Sequence, residues 1–339
     1  MRIVQLQTTD RGRRLGVISG DKILDVTEIA GAPTVRSTYE AFQLADARGI
    51  SLSEFLAPRA KETSRRFDYK VVLATEPHSQ KPFLLPPLDH PDPYHTLVTG
   101  TGLTHLGSMQ SRDEMHIATE NAPPKTDSAK MFERGLAGGK PKPGERGVAP
   151  EWFYKGNGMI LRGPREPLDI PDFALDGGEE PEIVGGYIIN QQGVPVRLGF
   201  SLGNEWSDHA TEKINVLYLA PSKLRTCAVG PELNTDWDFQ EVLLRCTITR
   251  GKQTLYDSGP LLSGEQHMSH SLANLEDHHF KYPQHRQPGD VHLHFFGTSK
   301  LSYSTRDWLF ADGDVVKIEA PGWSAPLINR VSRLSELPQ

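Results

Sequence analysis

From about residue 158 onward, short apolar runs alternate with clusters of Gly, Pro, Asn and Asp, and this pattern restricts the fold more than anything else in the chain. Runs at 182–190, 194–202, 242–250, 291–296 and 315–319 have strand length and β-branched or aromatic content. Asn190-Gln191-Gln192-Gly193 separates the first two as a hairpin turn, and Asp312-Gly313-Asp314 is a second turn leading into a strand. Many strands with few helices between them predict a β-rich α+β barrel or sandwich and exclude a parallel βαβ array.

The chain has 339 residues, enough for about two domains. Residues 1–75 read as a small N-terminal α+β domain. Arg2–Gln7 and Gly16–Ser19 are strands, Gly20-Asp21 is a hairpin turn, and Lys22–Val26 returns as a third strand. Val35–Ala47 and Leu52–Phe67 carry helical spacing, with Ser51 and Ser53 as candidate caps. Six prolines between 76 and 93 predict an extended linker, and residues 94–339 then form the larger domain. Within it, the polar Gly-, Pro- and Lys-containing stretch near 105–150 reads as a lid loop with short helices.

A formal net charge of −6 argues against a nucleic-acid partner, but a local site can still bind a small anion. The N-terminus lacks a signal-peptide run, and no apolar stretch is long enough to span a membrane. The two cysteines, Cys227 and Cys246, make neither a disulfide framework nor a zinc site. A cytoplasmic location is the expectation.

The chemistry concentrates in Glu180-Pro181-Glu182, Asn204-Glu205 and Lys223. In a strand, the i, i+2 spacing puts the Glu180 and Glu182 carboxylates on one face, where like charges need a cation or water. Hard divalent cations take oxygen ligands, and Mg²⁺ keeps open positions for water and substrate. A lysine beside such an ion is a candidate proton acceptor, because a cation and burial both lower its pKa. Taken alone, the glutamate pair fits a solvated strand edge better than a metal site, with Asp176 and Glu179 nearby. Glu205 alone reads equally as an acid at the start of a helix over Trp206–Lys213.

Three other patterns carry less. Gly199-Phe200-Ser201-Leu202-Gly203 matches a nucleophile elbow, but the parallel sheet that motif needs is not predicted. Gly100-Thr101-Gly102-Leu103-Thr104-His105 begins like a dinucleotide loop but has His in place of the third Gly, which suits acid–base work at His105 better. Seven of the thirteen histidines fall between His267 and His294. Without a diagnostic ligand spacing they read as surface or core-edge residues rather than a transition-metal site.

In this order the motifs resemble the fumarylacetoacetate hydrolase superfamily: Glu180-Pro181-Glu182, then Gly199-Phe200-Ser201-Leu202-Gly203-Asn204-Glu205, Lys223 with Gly230-Pro231, Gly100–His105 as the approach to a lid, and Gly297-Thr298 with Asp312-Gly313-Asp314. The segment Leu217–Lys223 with Cys227 is similar to the sugar-acid branch that contains the 2-keto-3-deoxy-D-arabinonate dehydratases and AraD-like proteins. The resemblance implies a β-roll core, Mg²⁺ (with Mn²⁺ or Ca²⁺ as alternatives) held by Glu180, Glu182 and Glu205, and a homodimer. It implies that Lys223 is the general base, that His105 or Glu114 is the lid acid, and that Gly297 and Thr298 bind the carboxylate end of a small anionic 2-keto acid. Two departures matter. Glu205 stands where Asp is usual, and the lid motif reads His105-Leu106-Gly107-Ser108, without its glutamate.

The activity implied is a Mg-dependent dehydratase that converts a 2-keto-3-deoxypentonate to 2,5-dioxopentanoate in pentose catabolism. The alternatives are a metal-dependent C–C hydrolase or decarboxylase of a 2,4-diketo acid, and a non-catalytic sugar-acid binding module.

Overall fold

The computed structural model describes residues 1–116 and 126–334. The chain opens with a meander of β1 (Arg2–Thr8), β2 (Gly12–Ser19) and β3 (Lys22–Asp25), followed by α1 (Thr38–Asp46) and α2 (Leu52–Glu62). Ser51 caps α2 in a capping box with Glu54, as its position predicts, whereas Ser53 lies inside the helix. Ser37, which was not singled out in the sequence, caps α1. Helix α2 ends at Glu62, short of Phe67, because β4 (Arg66–Asp68) pairs with β3 through Lys22↔Asp68. Helix α3 (Tyr69–Ala74) and β5 (Phe83–Leu85) complete this part.

The proline-rich segment is packed against the N-terminal strands. Strand β5 pairs with β1, and Gln5 and Thr38 donate to the carbonyls of Pro86 and Pro87. Strand β6 (Thr96–Gly102) then leads to α4 (Leu106–His116), α5 (Asp127–Gly138) and β7 (Glu151–Asn157). Two short strands, β8 (Leu161–Arg162) and β9 (Leu168–Ile170), precede the hairpin of β10 (Pro181–Ile189) and β11 (Pro195–Asn204). Helices α6 (His209–Ile214) and α7 (Leu219–Lys223) lead to β12 (Cys227–Asn234). The last third contains β13 (Val242–Arg250), β14 (Gln253–Asp257), β15 (Leu261–Ser263), α8 (Leu272–Phe280), β16 (Val291–Phe295), β17 (Val315–Glu319) and β18 (Leu327–Arg333). Both predicted turns are present, at 190–194 and 311–314.

One sheet runs β4-β3-β2-β1-β12-β11-β10-β16-β6-β7, and a second runs β14-β13-β17-β18-β9. The N-terminal meander continues the larger sheet through Arg2↔Asn234 and Ile3↔Leu233. Strand β10 is buried along its whole length. Ile183, Tyr187 and Ile189 enter one apolar core, while Val184 and Ile188 enter another on the opposite face. The two-residue period of a strand explains this split. It also places Glu182 on the face of Val184, at the end of β10 where the core gives way to polar side chains.

One buried acid lies outside that region. The Glu232 side chain on β12 is fully enclosed. Its Oε1 accepts from the Ser324 N–H at 3.2 Å and lies 3.4 Å from Arg2 Nε, while Oε2 has no hydrogen-bond partner among the described residues. Burial pushes its carboxyl up to about 7. A raised folded-state pKa favours the native protein below the ordinary value of 4.5, and that advantage is lost as pH rises through about 7. Glu232→Gln is therefore expected to gain about 2.5 kcal/mol over wild type between pH 5 and pH 8. Urea unfolding of both proteins at the two pH values measures this, and parallel pH dependences would rule it out.

Candidate metal centre and active site

Antiparallel register brings the first two glutamates of the site together. Strands β10 and β11 pair through Pro181↔Asn204 and Glu182↔Gly203, so Glu180 sits opposite Glu205 just beyond the pairing. The Glu205 N–H donates to the Glu180 carbonyl at 3.1 Å, and the Glu180 N–H donates to Asn204 Oδ1 at 3.1 Å. Glu182, on the same face as Glu180, completes a triad whose ligand oxygens all lie within 4.8 Å of one another. All three glutamates are buried, so neither the solvated strand edge nor the helix-start acid describes them. Helix α6 starts later, capped by Asp208.

Each carboxylate has its own support. Glu182 Oε2 accepts from the Gly297 N–H at 2.7 Å. Gly297 adopts φ +94°, and a Cβ there would lie 2.2 Å from Thr104 Oγ1, so only glycine fits. Glu179, which points away from the triad, accepts from the Ser302 N–H at 2.6 Å and anchors the loop that carries Gly297 and Thr298. Glu205 Oε1 lies 3.1 Å from Lys155 Nζ, and that ammonium also donates to the carbonyls of Trp206 and Lys223 at 2.7 and 2.8 Å. Trp206 takes a left-handed φ of +49°, held by its indole donating to the Asp169 carbonyl at 2.9 Å and packing edge-on against Phe310.

Lys223, at the end of α7, donates to Glu180 Oε1 and, at 2.8 Å, to Glu205 Oε2. His209 Nε2 lies 3.1 Å from Glu180 Oε1. Burial favours the neutral amine of Lys223, but the Glu180 and Glu205 carboxylates outweigh it and hold the group above the ordinary lysine value. Burial likewise opposes ionisation of Glu180, yet Lys223 and His209 hold that carboxyl well below its usual range. At Glu182 the pull of Lys223 is outweighed. Burial, Glu205 and Glu180 all push it well above the usual range. The cavity is lined by four glutamates, including Glu212, against the cations Arg112 and Lys223. With Lys155 on Glu205 and Glu151 on Arg112 also counted, five ionised carboxylates face three cations, an excess of two negative charges that a divalent cation would offset. The all-oxygen donor set and its charge thus fit Mg²⁺, Mn²⁺ or Ca²⁺.

Other expected residues are placed differently. Gly297 and Thr298 line the cavity, but the Gly297 N–H is committed to Glu182 and Thr298 Oγ1 to the carbonyls of Pro181 and Lys300. His105 is not brought to the carboxylates. Its ring is buried between Thr104 Oγ1 at 3.0 Å and Ser263 Oγ at 3.3 Å, and burial lowers its pKa to about 3. Ser108, at the place of the missing lid glutamate, does line the cavity. Glu114 falls on α4, with its side chain outside the described residues. Ser201 is no nucleophile, since its hydroxyl is buried and donates to the Glu232 carbonyl at 2.7 Å.

Sequence reasoning missed Lys155, His209, Glu212 and Arg112. The one local signal was Asp208 as a helix cap, which would have set His209 and Glu212 on the first turn of α6. The 267–294 histidines are also corrected. His279, His292 and His294 are buried in a cluster under α8, with His279 Nε2 2.9 Å from His292 Nδ1. Among the described residues, only the glutamate triad brings three ligand atoms within 4.8 Å. No helix of the described residues is long and apolar enough to cross a membrane.

No protein-family model matches the chain, and no curated protein sequence matches it. Solved structures do. The apo form of 2-keto-3-deoxy-D-arabinonate dehydratase superposes with a TM-score of 0.69 at 18% identity, covering 99% of this chain and 100% of that one. The same enzyme complexed with magnesium and 2,5-dioxopentanoate gives 0.68 at the same identity and coverage. The 5-carboxymethyl-2-hydroxymuconate delta-isomerase from Mycobacterium smegmatis gives 0.57 at 17% identity, again over 99% of this chain and 100% of that one. Mixed α/β, rich in strand and similar to these structures from end to end, the chain has the fumarylacetoacetate-hydrolase-like fold.

Proposed function

We propose that this protein is a metal-dependent hydro-lyase that removes water from a 2-keto-3-deoxypentonate of the 2-keto-3-deoxy-D-arabinonate type, giving 2,5-dioxopentanoate. The observation that carries this reading is the buried Glu180–Glu182–Glu205 triad with Lys223 against two of its members. The likeness to a dehydratase complexed with magnesium and 2,5-dioxopentanoate supports the choice of substrate.

Glu180, Glu182 and Glu205 would hold a divalent cation, which would supply Lewis acidity toward a 2-keto acid. Lys223 accepts the C3 proton, and as the C4–O bond breaks the hydroxyl takes a proton from the lid acid and leaves as water. A cation on Glu180 and Glu205 would offset two of the three carboxylates that hold its amine protonated, Glu212 being the third. Phe153 lies against Lys223, with its ring centre 5.0 Å from Nζ, and shields the amine from water. His105, buried away from the cavity, does not take part in this proposal. The lid acid is assigned instead to Glu114, on α4.

The test is incubation of the Mg²⁺-loaded protein with 2-keto-3-deoxy-D-arabinonate and, separately, with a 2,4-diketo acid. Formation of 2,5-dioxopentanoate from the first alone is the expected result. Cleavage of the diketo acid instead would replace the lyase with a C–C hydrolase or decarboxylase. Ligand binding without any product would indicate a binding module. The reading includes a cytoplasmic homodimer in pentose catabolism, which light scattering and cell fractionation test.

A further inference from the structure

One wall of the cavity is built from α4, with Ser108 and Arg112, and α6, with His209 and Glu212. Arg112 of α4 donates from Nη1 to Glu151 Oε1 and Oε2 at 2.7 and 2.9 Å. Glu212 of α6 faces the same guanidinium, with Oε1 2.9 Å from Nε. That distance makes an ion pair, but no N–H is aimed at the oxygen. Glu212 Oε1 accepts no hydrogen bond among the described residues. Direction decides here, because a misaligned contact leaves the lone pairs open. The residue is only 1% exposed and lines the cavity, so a buried carboxylate oxygen at the cavity wall, beside the guanidinium, accepts no hydrogen bond. Leaving such an acceptor unsatisfied is costly, and a ligand hydroxyl would satisfy it. Arg112 meanwhile faces two carboxylates, so this wall is negative overall and opposes a second ligand carboxylate.

We infer that Glu212 is a specificity-determining residue. It accepts a hydrogen bond from a hydroxyl on the carbons beyond the 2-keto group and excludes substrates that carry a second carboxylate there. The inference rests on the proposed function, in that the metal end of the cavity holds a 2-keto acid. It adds the chemical class of the other end, a hydroxylated monoanion rather than a diacid.

The test compares three 2-keto acids on the Mg²⁺-loaded protein by calorimetry: 2-oxopentanoate, a 2-keto-3-deoxypentonate and 2-oxoglutarate. Wild type should bind the hydroxylated acid about tenfold or more tightly than 2-oxopentanoate, with 2-oxoglutarate weakest. Glu212→Gln keeps the shape of the side chain. It should shrink the hydroxyl advantage by about tenfold and raise 2-oxoglutarate affinity, each ratio being read at saturating Mg²⁺. Equal affinity of wild type for all three acids would overturn the inference and leave the metal-bound 2-keto acid standing. Failure of every 2-keto acid to bind the metal-loaded protein would overturn both. The wild-type series needs no variant, so a folding defect in Glu212→Gln cannot mask the answer.

Discussion

Lys223→Ala is expected to lower kcat by about 10²–10⁴-fold while the protein still binds Mg²⁺. The physical basis is the double role of the amine. In the metal-free protein Lys223 is the counter-ion of Glu180 and Glu205, and in the proposed reaction it is the base. Truncation leaves two buried carboxylates without their shared cation, a change that costs about 3–5 kcal/mol in comparable buried pairs. The metal-free variant should therefore unfold at a lower temperature than wild type. Added Mg²⁺ should restore more stability to the variant than to wild type, because the ion no longer competes with an ammonium for the same oxygens. Thermal unfolding with and without Mg²⁺, together with steady-state turnover, separates the two effects. Undiminished turnover in the variant would remove Lys223 from the chemistry. A Mg²⁺ stabilisation no larger than that of wild type would mean that amine and ion do not share Glu180 and Glu205.

The second large effect is acid unfolding driven by the histidine cluster. Trp152 Nε1 donates to His279 Nδ1 at 3.2 Å, which makes that nitrogen an acceptor and leaves His279 Nε2 to donate to His292 Nδ1 at 2.9 Å. His294 Nδ1 meets Thr99 Oγ1 at 2.8 Å. The rings fit together only as neutral imidazoles. Burial, reinforced by neighbouring histidines, lowers His292 and His294 to about 3 and holds His279 well below its ordinary 6.5. A depressed folded-state pKa means that stability is fully present above about pH 6.5 and is lost as pH falls toward 3. At pH 5 His292 and His294 each cost about 2 kcal/mol, about 4 kcal/mol together, a large share of the stability of many domains, and His279 acts in the same direction. Urea unfolding at pH 8 and pH 5 should show this loss. A His292→Gln, His294→Gln double variant should lose about 4 kcal/mol less over the same interval. The same loss in variant and wild type would exclude the cluster as the cause. The Glu232 contribution runs in the opposite direction and is smaller.

Much of the framework was legible because strand signals are local. The runs at 242–250 and 315–319 appear as β13 and β17 with the same bounds, and the turn at Asn190–Gly193 joins β10 to β11. Strands β7, β12 and β18 were not read. Glycine, proline or charge interrupts their apolar content, and neighbouring strands supply their pairing. The same limit applied at the site. Glu180 and Glu182 could be placed on one face from their spacing, but their burial could not, because it depends on sheets and loops distant in the chain. His105 had the right residue type at the right point in the order. The fold nevertheless turned its ring toward Ser263, 158 residues away.

By itself the sequence determined the strand-rich architecture and the residue types of the candidate metal site: three glutamates and a lysine on successive segments. Tertiary structure alone decided that Glu180 faces Glu205 across an antiparallel register, that Lys155 and Lys223 clamp the latter, and that Arg112 and Glu212 line the same cavity. The histidines between 267 and 294 likewise became a buried cluster only through the packing of α8 over the sheet. Periodicity and turn chemistry act within a few residues, so a sequence exposes them. Burial and charge pairing depend on which distant segments share a space, and only the folded chain fixes that.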